Sequence, residues 1–161
     1  MMLVKIKWFI ILIFVSIICN FILVPSHAQE ECLVKASDAY NNARYDEAIK
    51  NADECISTFE KQAETIQNKL TKPPPTGPVD QSTKDEIFQR GLLNDVATAY
   101  WIKGKSAQKI YERDRTNSSY RSIAVESYQG ACRFKHGRTW DPKGWFWSPC
   151  ESAEKLMKNM P

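Results

Sequence analysis

The sequence predicts an all-α chain of about six helices folded as three antiparallel hairpins. Apolar residues recur at steps of three and four through most of residues 30–160. Prolines, glycines and capping residues cut that pattern into helix-sized lengths, and no strand-like alternation interrupts it.

Residues 1–28 stand apart. Lys5 and Lys7 precede an almost wholly apolar run over residues 8–24, Pro25 breaks it, and Ser26-His27-Ala28 supplies the small residues that a signal peptidase reads. The run nearly has the length of an uncleaved anchor, but the helix breaker and the small-residue site favour cleavage. Cys19 lacks the small residues that precede a lipidation site, since Ile17 and Ile18 stand there. The expectation is export, to a periplasm or beyond the cell. Without these residues the formal net charge falls from +3 to +1, with 20 basic and 19 acidic residues remaining. So balanced a surface gives no reason to expect a nucleic-acid partner. No later segment has the length and apolarity of a membrane span, so membrane contact is expected only through an uncleaved leader.

The rest, residues 29–161, reads as one domain. Residues 30–43 form a first helix with Leu33, Ala36, Ala39 and Tyr40 on one face. After a turn at 44–46, Ala48, Ile49, Ala52, Cys55, Ile56, Phe59, Ala63, Ile66 and Leu70 stripe a second helix of roughly 25 residues, about twice the usual length. It ends where Lys72 meets Pro73. The proline-rich stretch 72–83 is expected as a stiff, exposed connector. Ser82 and Thr83, three residues ahead of Asp85 and Glu86, announce a third helix, with Gly104 as its stop. Residues 105–116 suggest a short fourth. Asn117-Ser118-Ser119 caps a fifth, with Lys135 and His136 at its negative end and Gly137 beyond. Ser148, Pro149 and Glu151 open the last.

Cys32, Cys55, Cys132 and Cys150 remain after export, an even count that reads as two disulfides in one of three connectivities. The helix layout chooses among them. In an antiparallel hairpin the start of one helix lies beside the end of its partner, which pairs Cys32–Cys55 and Cys132–Cys150, one staple per hairpin. A rival use of the second pair is a metal site in which His136, four residues after Cys132, joins both cysteines, or a reactive thiol at Cys150. An oxidising compartment favours the disulfide, and neither a metal nor a cofactor is expected.

Leu33-x-x-Ala36-Ser37-x-x-Tyr40 and Leu93-x-x-Val96-Ala97-x-x-Tyr100 share one spacing, and Tyr45 followed by Asp46-Glu47-Ala48-Ile49 opens the second helix. Together these resemble the tetratricopeptide repeat (TPR) family. Departures are plain: Ala43 stands where a turn glycine is usual, and Lys109 falls where the second unit needs alanine. Tyr40 and Tyr100 lie 60 residues apart, against a repeat of about 34. The resemblance implies a right-handed stack of helix pairs that binds a protein or peptide on its concave face. There it places Asp38, Asn41, Asn42, Asn94, Thr98 and Trp101. Asp38 and Asp95 would repel a terminal carboxylate, which disfavours capture of a peptide C-terminus.

Residues 140–147 hold Trp140, Trp145, Phe146 and Trp147, the densest aromatic cluster after the leader. Two uses present themselves: a lid that buries the open end of the stack, or rings that stack on a glycan, peptide or lipid. The catalytic inventory is thin. No nucleophile elbow, phosphate-cradling glycine loop or histidine pair occurs, and the adjacent carboxylates Asp46/Glu47 and Asp53/Glu54 point apart on their helix. The chain is therefore expected to be no enzyme but an exported TPR-like scaffold in an envelope assembly. A carbohydrate- or cell-wall-binding module using the 140–147 loop is the alternative, and a small hydrolase without a recognisable motif is the third reading.

Overall fold

The computed structural model describes residues 26–160, and side-chain surroundings from residue 31, so the expected signal peptide lies almost wholly outside the described residues. Among the described residues six helices and one two-stranded hairpin follow in order: α1 (Ser26–Asn41), α2 (Tyr45–Asn68), α3 (Gln81–Phe88), α4 (Gly91–Arg113), α5 (Ser118–Arg133), β1 (Thr139–Asp141), β2 (Trp145–Trp147) and α6 (Pro149–Lys158). The all-α class holds.

The first turn is short because its hydrogen bonds close on themselves. The Ala43 N–H donates to Tyr40 O (3.0 Å) and the Arg44 N–H to Ala39 O (2.9 Å), a Schellman pair that requires a left-handed residue between them. Ala43 takes that conformation, at φ 56°. Antiparallel packing then relies on small side chains. Ala36 and Ala39 of α1 and Ala48, Ala52 and Ala63 of α2 are fully buried, so the two backbones approach closely. Cys32–Cys55 staples the pair with 5.6 Å between Cα atoms.

The middle of the chain departs from expectation. The sequence predicts one helix over 83–104, stopped by Gly104 and followed by another at 105–116. Instead α3 ends at Phe88, and α4 runs unbroken from Gly91 through Gly104 to Arg113. Gly104 is a socket rather than a stop: a Cβ there would lie 2.6 Å from the Tyr128 ring of α5, and Gly130 of α5 in turn receives the Tyr100 ring of α4. A local helix-breaking preference of about 1 kcal/mol yields to burial of two tyrosine rings. One start signal also shifts. The cap of α3 is Asp80, whose carboxylate accepts the Thr83 N–H (2.8 Å), in place of Ser82 and Thr83. The start of α6 is as read, with Ser148 Oγ accepting the Glu151 N–H (3.2 Å).

Each long helix packs on its sequence neighbour, α1 on α2, α2 on α4, α4 on α5 and α5 on α6, while α1 and α6 both also touch α4. Thus α1, α4 and α6 form one row and α2 and α5 the other. The second antiparallel pair is α4 with α5, rather than two helices divided at Gly104. One core cluster joins α1, α2 and α4 around Phe59, Leu93, Val96 and Ile102; a second lies among α4, α5 and α6 around Tyr128 and Ala153. Cys132–Cys150 staples α5 to α6, at a Cα separation of 4.3 Å.

Candidate functional site

The connection from α5 to α6 carries the aromatic cluster, and it is a β-hairpin, contrary to the absence of strand pattern read from sequence. Trp140 pairs with Phe146, Thr139 with Trp147 and Asp141 with Trp145. The turn explains the register. Asp141 Oδ1 accepts the Lys143 N–H (2.8 Å), the Gly144 N–H donates to Asp141 O (2.9 Å), and Gly144 takes φ 101°. Proline and glycine bracket a three-residue loop at 142–144 that suits such a turn.

Alternation sorts the rings onto two faces. Phe146 is fully buried and meets Phe88 (5.4 Å) and Trp140 (4.9 Å), while Trp140 also contacts Phe88 at 5.8 Å. On the other face Trp147 packs edge-on against Trp101 at 5.0 Å, and half-buried Trp145 stacks on no other ring among the described residues. The cluster therefore divides: three rings are packed and one is not.

The hairpin sits on α4 through residues that the TPR resemblance assigned to partner binding. Asn94 is buried; its Nδ2 donates to Ile87 O (2.8 Å) and its Oδ1 accepts the Arg138 N–H (2.9 Å). Thr98 is buried too, sharing a 2.7 Å hydrogen bond with Thr139. Both support the hairpin instead of facing a partner. Trp101 remains half-buried beside it and donates from Nε1 to Ser152 Oγ (2.9 Å). Asp38, Asn41 and Asn42 are exposed near the end of α1, where Asn42 Nδ2 donates to Asp38 O (2.8 Å). Of these six, Asn94 and Thr98 are taken up by the hairpin, while Trp101 lies beside α1, its ring 6.3 Å from that of Tyr40.

Arg138 fixes the third side. It is 3 % exposed, and its guanidinium donates to Pro74 O (2.8 Å from Nε), Pro75 O, Lys135 O and Gly137 O. Burial pulls its pKa down, and the ring of carbonyls compensates for lost water. The proline-rich segment is consequently no free connector. Pro74 is buried, and Gly77, at φ 88°, exchanges hydrogen bonds with Phe146 (2.7 and 3.0 Å), adding a bridge to the edge of β2.

Between the hairpin, this segment and α6 lies a groove of about 550 Å³. Trp101, Trp145 and Trp147 line it with Asp141, Glu151 and Lys155. The three tryptophans stand out in the sequence. The polar three do not, because only the hairpin fold and the first turns of α6 bring them together. The second cysteine pair is formed without His136. Cys132 and Cys150 are bonded to each other, and the cluster of possible ligands around them contains exposed Glu154 but not His136. His136 is buried, its Nδ1 has no hydrogen-bond partner among the described residues, and desolvation together with Lys135, Arg138 and Arg90 lowers its pKa. The expected stabilisation of its positive form at a helix end is overturned by that burial.

Two disulfides fit an oxidising environment, and no helix among the described residues is long and apolar enough to cross a membrane. Comparison of this chain with family models, characterised proteins and solved structures finds no match.

Proposed function

We propose that this chain is an exported, TPR-like helical scaffold that binds a protein or peptide as part of an envelope assembly. The order of helix contacts supports the repeat reading, since α1, α4 and α6 line one side as first helices of successive pairs do. The partner of α4 also suits a repeat better than the helix expected at 105–116. Its Ala124, Tyr128 and Ala131 are buried, where the expected helix offered Lys109. The observation that carries the binding function is the groove of about 550 Å³ beside Trp101, lined by three tryptophans from α4 and the hairpin and by the first turns of α6.

A carbohydrate-binding reading has one observation of its own, the unstacked ring of Trp145, because sugars bind on open aromatic faces. A photo-crosslinking residue placed at Trp145, and separately at exposed Lys61 of α2, separates the two in the native compartment. One protein partner joined at position 145 and not at 61 is the expected result. Retention on wall glycan with no protein joined at either position would overturn the scaffold reading.

A further inference from the structure

The charges around the groove point to a particular kind of peptide. We propose that the groove seats the cationic side chain of an extended peptide, an arginine or lysine, on the indole of Trp145 between the carboxylates of Asp141 and Glu151. This rests on the proposal that the groove binds a peptide.

Three observations carry it. Asp141 and Trp145 are direct cross-strand partners, so their side chains leave the same face of the hairpin as nearest neighbours. A cation on that ring lies within reach of that carboxylate. Second, among the described residues neither Asp141 nor Glu151 has a cation within ion-pair distance; the buried Arg138 attracts Glu151 only at longer range. Asp141 uses Oδ1 for the Lys143 N–H and leaves Oδ2 open; Glu151 is capped only through its backbone. Third, the hairpin already shows the interaction on its opposite face. Lys84 Nζ stands 4.0 Å from the Trp140 ring centroid, and Lys84, on α3, belongs to the chain itself. Trp145 has no such cation, no ring neighbour and no side-chain hydrogen bond among the described residues. The two faces differ in who supplies the charge.

Lys155, one turn beyond Glu151 on α6, is the groove's own cation. It stands where it can donate to a main-chain carbonyl of the bound peptide, while the floor of Trp101 and Trp147 receives the aliphatic stem. An arginine fits best, because its planar guanidinium stacks on indole and donates to two carboxylates at once.

The test is calorimetric titration and tryptophan fluorescence of the full chain without residues 1–28. The probes are the capped pentapeptide Ala-Ala-Arg-Ala-Ala, the same peptide with neutral citrulline for arginine, and an oligosaccharide of N-acetylglucosamine, each to millimolar concentration. The arginine peptide is expected to bind, the citrulline peptide roughly tenfold more weakly, and binding should weaken with added salt. W145A should abolish the signal, and D141N and E151Q should each weaken it about threefold or more. The amide oxygen introduced by D141N still accepts the Lys143 N–H, so that variant keeps the turn, and circular dichroism checks that each variant is folded. Equal affinity for arginine and citrulline peptides would overturn the cation proposal and leave the peptide groove standing. Binding of the oligosaccharide with neither peptide, or no binding of any probe, would overturn both.

Discussion

The two disulfide-stapled ends of this molecule solve the same problem with different connections. Cys32–Cys55 holds α1 to α2 across a turn of three residues, 42–44, and Cys132–Cys150 holds α5 to α6 across residues 134–148. The staples enclose similar lengths of chain, with sequence separations of 23 and 18. At the first end the connection is a tight turn, closed by its backbone hydrogen bonds, the Arg44–Glu47 ion pair and a Tyr40–Tyr45 ring contact at 5.8 Å. At the second a hairpin, a buried arginine and a groove fit into the connection. The difference shows what a staple permits: once the helices are held covalently, the segment joining them can be long enough to fold into a hairpin of its own.

That contrast breaks most severely at the staples themselves. Replacing either cysteine pair by alanine should lose about 3 kcal/mol, mainly through the unfolded chain, and urea denaturation should find the two losses similar. The consequences should differ. Without Cys132–Cys150 the tryptophan emission should shift red and become accessible to acrylamide, because the hairpin hangs from the freed helices. Without Cys32–Cys55 it should not. Equal spectral change in both variants would show that the hairpin is held by the whole stack and that the second staple has no special part.

Next in size is a matched pair of arginines, one in each connection. Arg138 is buried among four carbonyls, so Arg138→Met should cost about 2 kcal/mol by leaving acceptors unpaired. It should also release the proline-rich segment, which proteolysis near Pro74 would detect. Arg44 at the first turn pairs with Glu47 at 2.6 Å, with both side chains about half exposed. Arg44→Met should change stability by less than about 0.5 kcal/mol. A similar loss at both positions would remove the distinction between a connection that is packed and one that is merely solvated.

The first end is legible in the sequence because its signals are local. The alanine spacing of α1 and α2, the long apolar stripe and the helix heights that pair Cys32 with Cys55 all survive in the structure. The second end is legible in outline, through Ser148, Pro149 and the Cys132–Cys150 pair. Its contents are not. Strands of three residues are too short for alternation to show, although Asp-Pro-Lys-Gly between Thr-Trp and Trp-Phe-Trp is a turn signal that aromatic flanks complete. Gly104 misleads for a different reason: its role depends on Tyr128, 24 residues away in sequence. Asn94 and Thr98 look like partner-binding residues because nothing local reveals that residues 138 and 139 cover them. The tryptophans of the groove declare themselves by composition, while Asp141, Glu151 and Lys155 need the fold.

The second end should also be the one that senses acid. His136 has its pKa lowered by burial and by Lys135, Arg138 and Arg90, with Gln67 accepting its backbone N–H. A histidine held neutral in the fold takes up its proton more readily when unfolded. Its contribution is therefore fully present above the unfolded value near 6.5 and is lost as pH falls through the lowered folded value. The urea midpoint should decline between pH 7 and 5, and His136→Gln should flatten that decline. A decline unchanged in His136→Gln would assign it to other groups.

The smallest effect compares the two turns at single residues. Ala43 and Gly144 both hold left-handed backbones, at φ 56° and 101°, but only one is glycine. Ala43→Gly removes the penalty of a Cβ in that conformation and should stabilise by about 0.5–1 kcal/mol, less the extra freedom that glycine gives the unfolded chain. Gly144→Ala introduces the same penalty. No atom lies within 4 Å of a Cβ built there, so steric crowding adds nothing and the loss should be about 1 kcal/mol, conformational alone. The signs are opposite and the sizes close, which makes the pair a controlled measurement. The binding consequence should fall on one side only. Gly144→Ala bends the turn that sets Asp141 opposite Trp145 and should weaken the arginine peptide, whereas Ala43→Gly should leave its affinity unchanged. If both turns altered binding equally, the two ends would be coupled through α4, which packs in both core clusters.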